Sequence, residues 1–309
     1  MDDAGAGTIL KGIGGLYTVF SEGNVYECRL RGSIRLEGIS PVTGDRVRLE
    51  NDANTGIPSV ISSVMKRRNV LVRPKVANID KIVLVIASLS PAPDLLLVDK
   101  LLVAARAEGI EPVLVINKAD QDEETAAEIA GQYKNAVRCF ITKAGDANEN
   151  GLEQLTEALD GCTSVLAGQS GVGKSTILNF LTDGAFMATG DISEKSLRGR
   201  HTTRHAELFP VSSRYVKAPS FIIDSPGFSL LELRDIPARD LSGYYPEVYA
   251  HRDVCRFQDC SHTGEPGCFV PGLVSSGIFN KFRYDRYVSL YKELENREKN
   301  RYKTGGIKK

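Results

Sequence analysis

No stretch of this 309-residue chain approaches the 18 or so consecutive apolar residues of a membrane-spanning helix, so no membrane span is expected. The opening MDDAGAGTILKGIGG has no apolar run behind a basic region, and no signal peptide is expected. Cysteine is scarce, at six residues. Three of the six crowd together, which suits metal binding in a reducing cytoplasm better than a disulfide scaffold. Net charge is missing too, at +0.

That zero hides a gradient. Residues 1–75 carry 11 Lys/Arg against 8 Asp/Glu, residues 281–309 carry 10 against 4, and the middle holds 18 against 27. Basic ends around an acidic centre suggest that the ends meet a polyanion, the alternative being Lys-rich termini that are simply solvated. A composition of 42% hydrophobic and 25% charged residues is that of an ordinary globular protein, and the length suits two or three domains.

Three regions follow along the chain. Residues 1–73 hold short alternating runs. In Asn24–Arg31, Tyr26, Cys28 and Leu30 share one face while Glu27, Arg29 and Arg31 share the other. Further runs at Arg46–Glu50 and Ile57–Met65 predict a small β-barrel of the oligonucleotide-binding kind, with a mere spacer domain as the alternative. Lys66-Arg67-Arg68 to Arg73-Pro74 reads as a linker. Residues 76–230 alternate apolar strands (82–87, 113–116, 137–141, 164–167, 221–223) with helical patterns (95–107, 123–133, 152–159), predicting a mostly parallel α/β sheet covered on both faces. Residues 231–309 have few strand signals, a Cys/His cluster and a charged terminal helix, predicting a mainly helical domain.

The chemistry sits at strand ends. Gly168-Gln169-Ser170-Gly171-Val172-Gly173-Lys174-Ser175 follows one predicted strand and opens a helix with Thr176, the context a phosphate-binding loop requires. Backbone N–H groups there curl around a β-phosphate, Lys174 reaches the β/γ-phosphates as a catalytic cation, and Ser175 is a candidate Mg²⁺ ligand. Asp224-Ser225-Pro226-Gly227 follows another strand; Asp224 is a second candidate for Mg²⁺, and the Gly227 amide can sense a γ-phosphate. Asn117-Lys118-Ala119-Asp120 follows a third. The Asp120 carboxylate can accept from the N1 and N2 donors of guanine, a pair adenine lacks, so GTP and not ATP is the expected ligand. Thr142-Lys143-Ala144, at the next strand end, is a loose match to a loop whose amide meets the guanine O6.

Between the phosphate loop and Asp224 runs the polar, basic segment from Gly190 to His205, in the slot of a GTPase's first switch. Thr202 or Thr203 is expected to close on Mg²⁺ when a γ-phosphate is present. Phe228 stands where a Ras-type enzyme has its water-orienting Gln. His201 is the candidate for that task, with a structural role or a partner contact as alternatives. Slow intrinsic hydrolysis that depends on a partner is the expected consequence.

Cys255, Cys260, His262 and Cys268 supply three thiolates and one imidazole within fourteen residues, a complete tetrahedral shell for a structural zinc ion. Cys28 and Cys139 read as core residues, and Arg252, Arg256, Lys281 and Arg283 as a basic surround suited to phosphates.

The guanine motif precedes the phosphate loop, reversing the Ras-like order. With Arg200-His201-Thr202-Thr203, Asp224–Gly227 and the Cys/His cluster following in turn, the chain closely resembles the ribosome small subunit-dependent GTPase A family over nearly its full length. That resemblance implies an oligonucleotide-binding barrel, a circularly permuted GTPase domain and a C-terminal zinc domain. It further implies a cytoplasmic, monomeric protein that binds GTP/GDP and the small ribosomal subunit with its rRNA, acts late in subunit maturation, and hydrolyses GTP on stimulation by the subunit. The alternative is a zinc-containing RNA-binding module that uses GTP as a structural ligand with little turnover. Permutation puts the switch segment and Asp224 directly before the zinc domain, so hydrolysis is expected to change how that module is held.

Overall fold

The computed structural model describes residues 3–36, 38–52, 54–72, 75–143, 150–184, 206–212, 214–224, 233 and 236–305. Alternation at a period of two puts successive side chains on opposite faces, and the first region uses it to enclose a core. β1 (Asp3–Ile13), β2 (Leu16–Ser21), β3 (Asn24–Leu30), β4 (Arg46–Asn51) and β5 (Pro58–Val64) close into a barrel in the order β1-β2-β3-β5-β4. Ile9, Val19, Cys28, Val47, Leu49 and Ile61 fill it, with Ile34 added from the short helix α1 (Gly32–Leu36). β1 and β2 were absent from the sequence expectation; in β1, Gly5, Gly7 and Gly12 dilute the alternating signal.

A small ribbon, β6 (Val70–Val72) with β7 (Lys75–Ala77), follows the barrel. The predicted linker is therefore partly ordered. Asp45, fully buried, accepts from Arg67 Nε at 2.6 Å and Nη2 at 2.8 Å. Asn78 donates through Nδ2 to the Gly44 carbonyl at 2.9 Å, and its Oδ1 accepts from the Arg68 amide at 2.9 Å. Gly44 has φ 84°, and a Cβ there would lie 2.1 Å from the Ala77 carbonyl oxygen. Only glycine fits that approach.

The α/β region follows as β8 (Lys81–Ala87), α2 (Leu95–Ala107), β9 (Glu111–Asn117), α3 (Glu123–Tyr133), β10 (Arg138–Ile141), α4 (Asn150–Ala158), β11 (Thr163–Ala167), α5 (Lys174–Leu181), β12 (Leu208–Pro210) and β13 (Phe221–Asp224). The six strands run in the order β10-β9-β8-β11-β13-β12. β9 and β10 pair in parallel, as do β11 and β13, while β12 is antiparallel to β13. Asp94 caps α2 by accepting from the Leu97 amide, and Asp122 caps α3 by accepting from Thr125, each at 2.9 Å. β8, β9 and β11 are almost wholly buried, as strands covered on both faces must be. After the sheet come α6 (Pro246–Tyr249), α7 (Val270–Ser275) and the long α8 (Lys281–Gly305). Among the described residues no helix is long and apolar enough to cross a membrane.

The chain divides into two compact units, residues 1–83 with 144–230, and residues 84–143 with 231–309. The barrel and the phosphate loop share the first. In the second, Tyr245, Phe279, Tyr287, Leu290 and Leu294 form one core with Val103 and Ala104 of α2. Arg283 of α8, fully buried, pairs with Asp99 of α2 at 3.0 Å and with Glu247 of α6. Arg286 adds a second bond to Asp99 at 2.5 Å and reaches Gln132 of α3 at 3.1 Å. Burial alone would weaken the Arg283 charge, but Asp99 and Glu247 beside it hold its pKa above the ordinary arginine value.

Removing one partner of such a network strands the others. Arg283→Met is expected to destabilise the second unit by about 3–5 kcal/mol, read as an earlier urea transition. An unchanged transition would show that the network adds no net stability.

Candidate functional site

The phosphate loop, the guanine loop and the first residues of Thr142–Ala144 and Asp224–Gly227 fall on described residues, each at the carboxyl end of a strand. In the first unit β11 ends at Ala167 and the loop Gly168–Gly173 leads into α5. Gly173 has φ 96°, a left-handed turn that lets α5 begin at Lys174. Val172 is buried and anchors the loop, whereas Ser170, Ser175 and Thr176 are exposed at the helix start. Lys174 Nζ donates to the Gly168 carbonyl at 2.9 Å and to the Gln169 carbonyl at 2.7 Å. The ammonium group is thus held against the loop, next to a helix N-terminus that favours an anion.

In the second unit β9 ends at Asn117, which is fully buried. Its Oδ1 accepts from Thr142 Oγ1 at 2.8 Å, and its carbonyl accepts from the Ser88 amide at 2.9 Å. Lys118 takes φ 58°; its carbonyl accepts from Ser88 Oγ at 2.7 Å and its Nζ donates to the Ser90 carbonyl at 2.9 Å. Ala119 is buried and donates to the Thr142 carbonyl at 3.0 Å. With its neighbours all tied down, Asp120 is left exposed at the tip of a fixed loop. Ser88 and Thr142 were not singled out as supports of this loop; no spacing pattern announces them, because both reach it from neighbouring strands. Thr142 spends its amide on the Ile116 carbonyl, and Lys143 pairs with Glu123 at 2.6 Å. The Thr142 hydroxyl is taken by Asn117, and Ala144 lies outside the described residues.

Outside them too lie His201, Thr202, Thr203 and Gly227, and of Asp224 only its place as the last residue of β13 is described. That place is opposite Leu166 of β11, two residues before the phosphate loop.

Cys255, Cys260, His262 and Cys268 bring their ligand atoms within 4.8 Å of one another. His262 Nδ1 lies 3.5 Å from Cys255 Sγ and 3.6 Å from Cys268 Sγ, and the two sulfurs are 3.9 Å apart. Tetrahedral zinc with bonds of about 2.3 Å to sulfur and 2.0–2.1 Å to nitrogen needs edges of about 3.8 Å and 3.6 Å. The donor set and spacing therefore fit a zinc ion. Burial lowers the His262 pKa, which keeps the ring neutral, and burial pushes the Cys260 thiol up to about 12. Thiols so raised require a dication to become thiolates near neutral pH. Glu265 braces the turn: its carboxylate accepts from the Ser261 amide at 2.7 Å, from Ser261 Oγ and from the Thr263 amide at 3.0 Å. Burial pushes that carboxyl up, but these bonds hold it at about 2. Tyr284 and Tyr287 of α8 donate to the carbonyls of His262 (3.2 Å) and Ser261 (2.7 Å). Of the expected basic surround, Arg252, Arg256 and Lys281 are exposed. Arg283 is not; it is committed to the buried network above. Cys28 is a core residue as expected, whereas Cys139 is only half-buried.

A phosphate loop between buried strand and helix, a guanine-type loop earlier in the chain, a leading barrel and a trailing zinc-fitting knuckle define a circularly permuted P-loop GTPase. Residues 64–234 match the model of the RsgA GTPase family, and residues 6–57 that of the RsgA N-terminal domain. A protein of Ruminiclostridium cellulolyticum named Small ribosomal subunit biogenesis GTPase RsgA is 41% identical over 295 residues, 94% of either chain. A Listeria monocytogenes protein named Small ribosomal subunit biogenesis GTPase RsgA 1 is 40% identical over 94% of this chain and 98% of its own. Among solved structures, YjeQ from Thermotoga maritima superposes with a TM-score of 0.74 at 33% identity, covering 94% of this chain and 98% of its own. YloQ, described as a circularly permuted GTPase, gives 0.76 at 31%, covering 94% and 95%. The chain belongs to the RsgA GTPase family.

If the knuckle holds zinc, purified protein should carry one zinc ion per chain by elemental analysis, and Cys260→Ser should lose most of it. Full retention by the variant would remove Cys260 from the ligand set.

Proposed function

We propose that this chain is a GTPase that binds the small ribosomal subunit and its rRNA and assists late subunit maturation, hydrolysing GTP to GDP and phosphate. The observation that carries this reading is 41% identity across 94% of a protein named for small-subunit biogenesis, with the guanine motif, the phosphate loop and Asp224–Gly227 present in permuted order. Three functional regions are proposed: a barrel for RNA at 1–73, the permuted GTPase domain at 76–230, and a zinc domain with a basic helix at 231–309. In this reading the protein is a cytoplasmic monomer.

In this reading Gly168–Thr176 bind the phosphates through backbone amides, and Lys174 neutralises charge on the β/γ-phosphates. Asn117–Asp120 select guanine. Asn117 itself is occupied by Thr142 and Ser88, so its task is to hold the loop, while exposed Asp120 is free to accept from guanine. Ser175, Thr202 and Asp224 would hold Mg²⁺, which when bound offsets charge developing on the transferring phosphoryl oxygens. Thr203 and the Gly227 amide are the further γ-phosphate sensors. His201 would orient the attacking water in place of the missing Gln, with the subunit ordering the segment that carries it. Cys255, Cys260, His262 and Cys268 would hold zinc as a structural ion.

GTP turnover is expected to rise when purified small subunits are added, and His201→Ala to lose most of that rise. Stimulation by large subunits instead of small ones would refute the reading. Asp120→Asn should weaken GTP binding by at least about tenfold and favour a xanthine nucleotide, since a carboxamide can donate where the carboxylate only accepts. Unaltered nucleotide preference, measured by competition, would take Asp120 out of base recognition.

A further inference from the structure

The barrel grips the chain directly after the segment 190–205. Ala206 follows Thr203 by three residues. Thr43 Oγ1 donates to the Ala206 carbonyl at 2.9 Å, and Lys11 Nζ pairs with Glu207 Oε2 at 2.7 Å. Lys11 belongs to β1 and Thr43 to the loop before β4. That loop is stiff: the Ala77 amide donates to the Thr43 carbonyl at 2.9 Å, Gly44 packs against Ala77, and the Asp45–Arg67 pair closes it from below.

What is gripped lies beside the nucleotide end of the sheet. β12 runs antiparallel to β13 with Leu208 opposite Ile223 and Phe209 opposite Ile222. One further step in that register sets Glu207 opposite Asp224. Neither grip is needed to attach the barrel, which the Gly44–Asn78 and Asp45–Arg67 contacts and the edge-on Phe20–Phe221 pair at 5.2 Å already do. The Lys11–Glu207 pair is about one-third exposed on both sides (34% and 32%), and pairs of that kind add little stability. Its consequence is positional.

We propose that Thr43 and Lys11 are positioning residues for GTP hydrolysis: by fixing Ala206 and Glu207 they anchor the end of the chain segment that carries Thr202 and Thr203. The proposal rests on the GTPase reading above. It gives the barrel a second task besides meeting RNA, because anything that shifts the barrel shifts that chain end. GDP lacks the γ-phosphate that Thr202 or Thr203 would sense, so its binding should not feel the grip.

The test uses the full-length chain with Thr43→Val, Lys11→Glu, Glu207→Lys and the Lys11→Glu/Glu207→Lys exchange. Each is assayed for GTP turnover (kcat and KM) with and without small subunits, and for GDP affinity by calorimetry. Each single variant should lower stimulated kcat by roughly two- to tenfold, the factor one lost hydrogen bond represents. GDP affinity should stay put, and the charge exchange should recover kcat. Wild-type kcat in the single variants, no recovery in the exchange, or a GDP affinity that falls along with kcat would overturn the proposal. Should Thr43→Val fail to fold, the partly exposed ion pair carries the same test. Should the wild-type chain not hydrolyse GTP, the GTPase reading fails on its own. The positioning role is then decided by whether the variants lose preference for a non-hydrolysable GTP analogue over GDP.

Discussion

A parallel strand buried on both faces can offer chemistry only where it ends, and the rest of this molecule is arranged around that limit. β9 ends at Asn117, β11 at Ala167 just before the phosphate loop, and β13 at Asp224. The turns that follow β9 and β11 have backbones that are spoken for. At β9 the hydrogen bonds of Ser88 and Thr142 fix Asn117, Lys118 and Ala119 and leave Asp120 outward. At β11 a left-handed Gly173 ends the turn and starts a helix. Because the motifs hang on strand ends and not on chain order, cutting and rejoining the chain elsewhere leaves them usable. The permutation is tolerated for that reason.

The barrel that precedes the permuted domain is held by more than the covalent chain. Asp45 carries a buried charge that Arg67 meets with two bonds, and Gly44 lets the loop press on Ala77 where any side chain would collide. Removing either partner of a buried ion pair leaves the other uncompensated, so this joint resists opening. The barrel is consequently a fixed neighbour of β12, and not a bead on a tether.

Much of this was legible beforehand, and the exceptions have physical causes. α2 and α3 begin and end where the sequence placed them, because Asp94 and Asp122 are N-caps ahead of clean helical periods. The phosphate loop, the guanine loop and the Cys/His cluster are local in sequence, so spacing alone carried them. β1 was missed because glycines blunt its alternation. Arg283 was misread: a charged residue on a charged helix looks solvated until Asp99, nearly two hundred residues away, is brought beside it. Ser88, Thr142, Thr43 and Lys11 serve loops to which they are not adjacent in sequence. No single-sequence pattern reports a long-range hydrogen bond.

The position of Arg283 also sharpens how hydrolysis could reach the zinc-fitting module. Sequence order alone suggested a hinge, since Asp224 leads directly towards the Cys/His cluster. Yet α8 is bound to α2 through Asp99 and to α3 through Gln132, and α3 is the helix that starts just after Asp120. Swinging α8 away would strand Arg283, Asp99 and Glu247 without partners, at a cost of several kcal/mol. Within the second unit, α8 and the guanine loop are therefore tied to one another through α2 and α3.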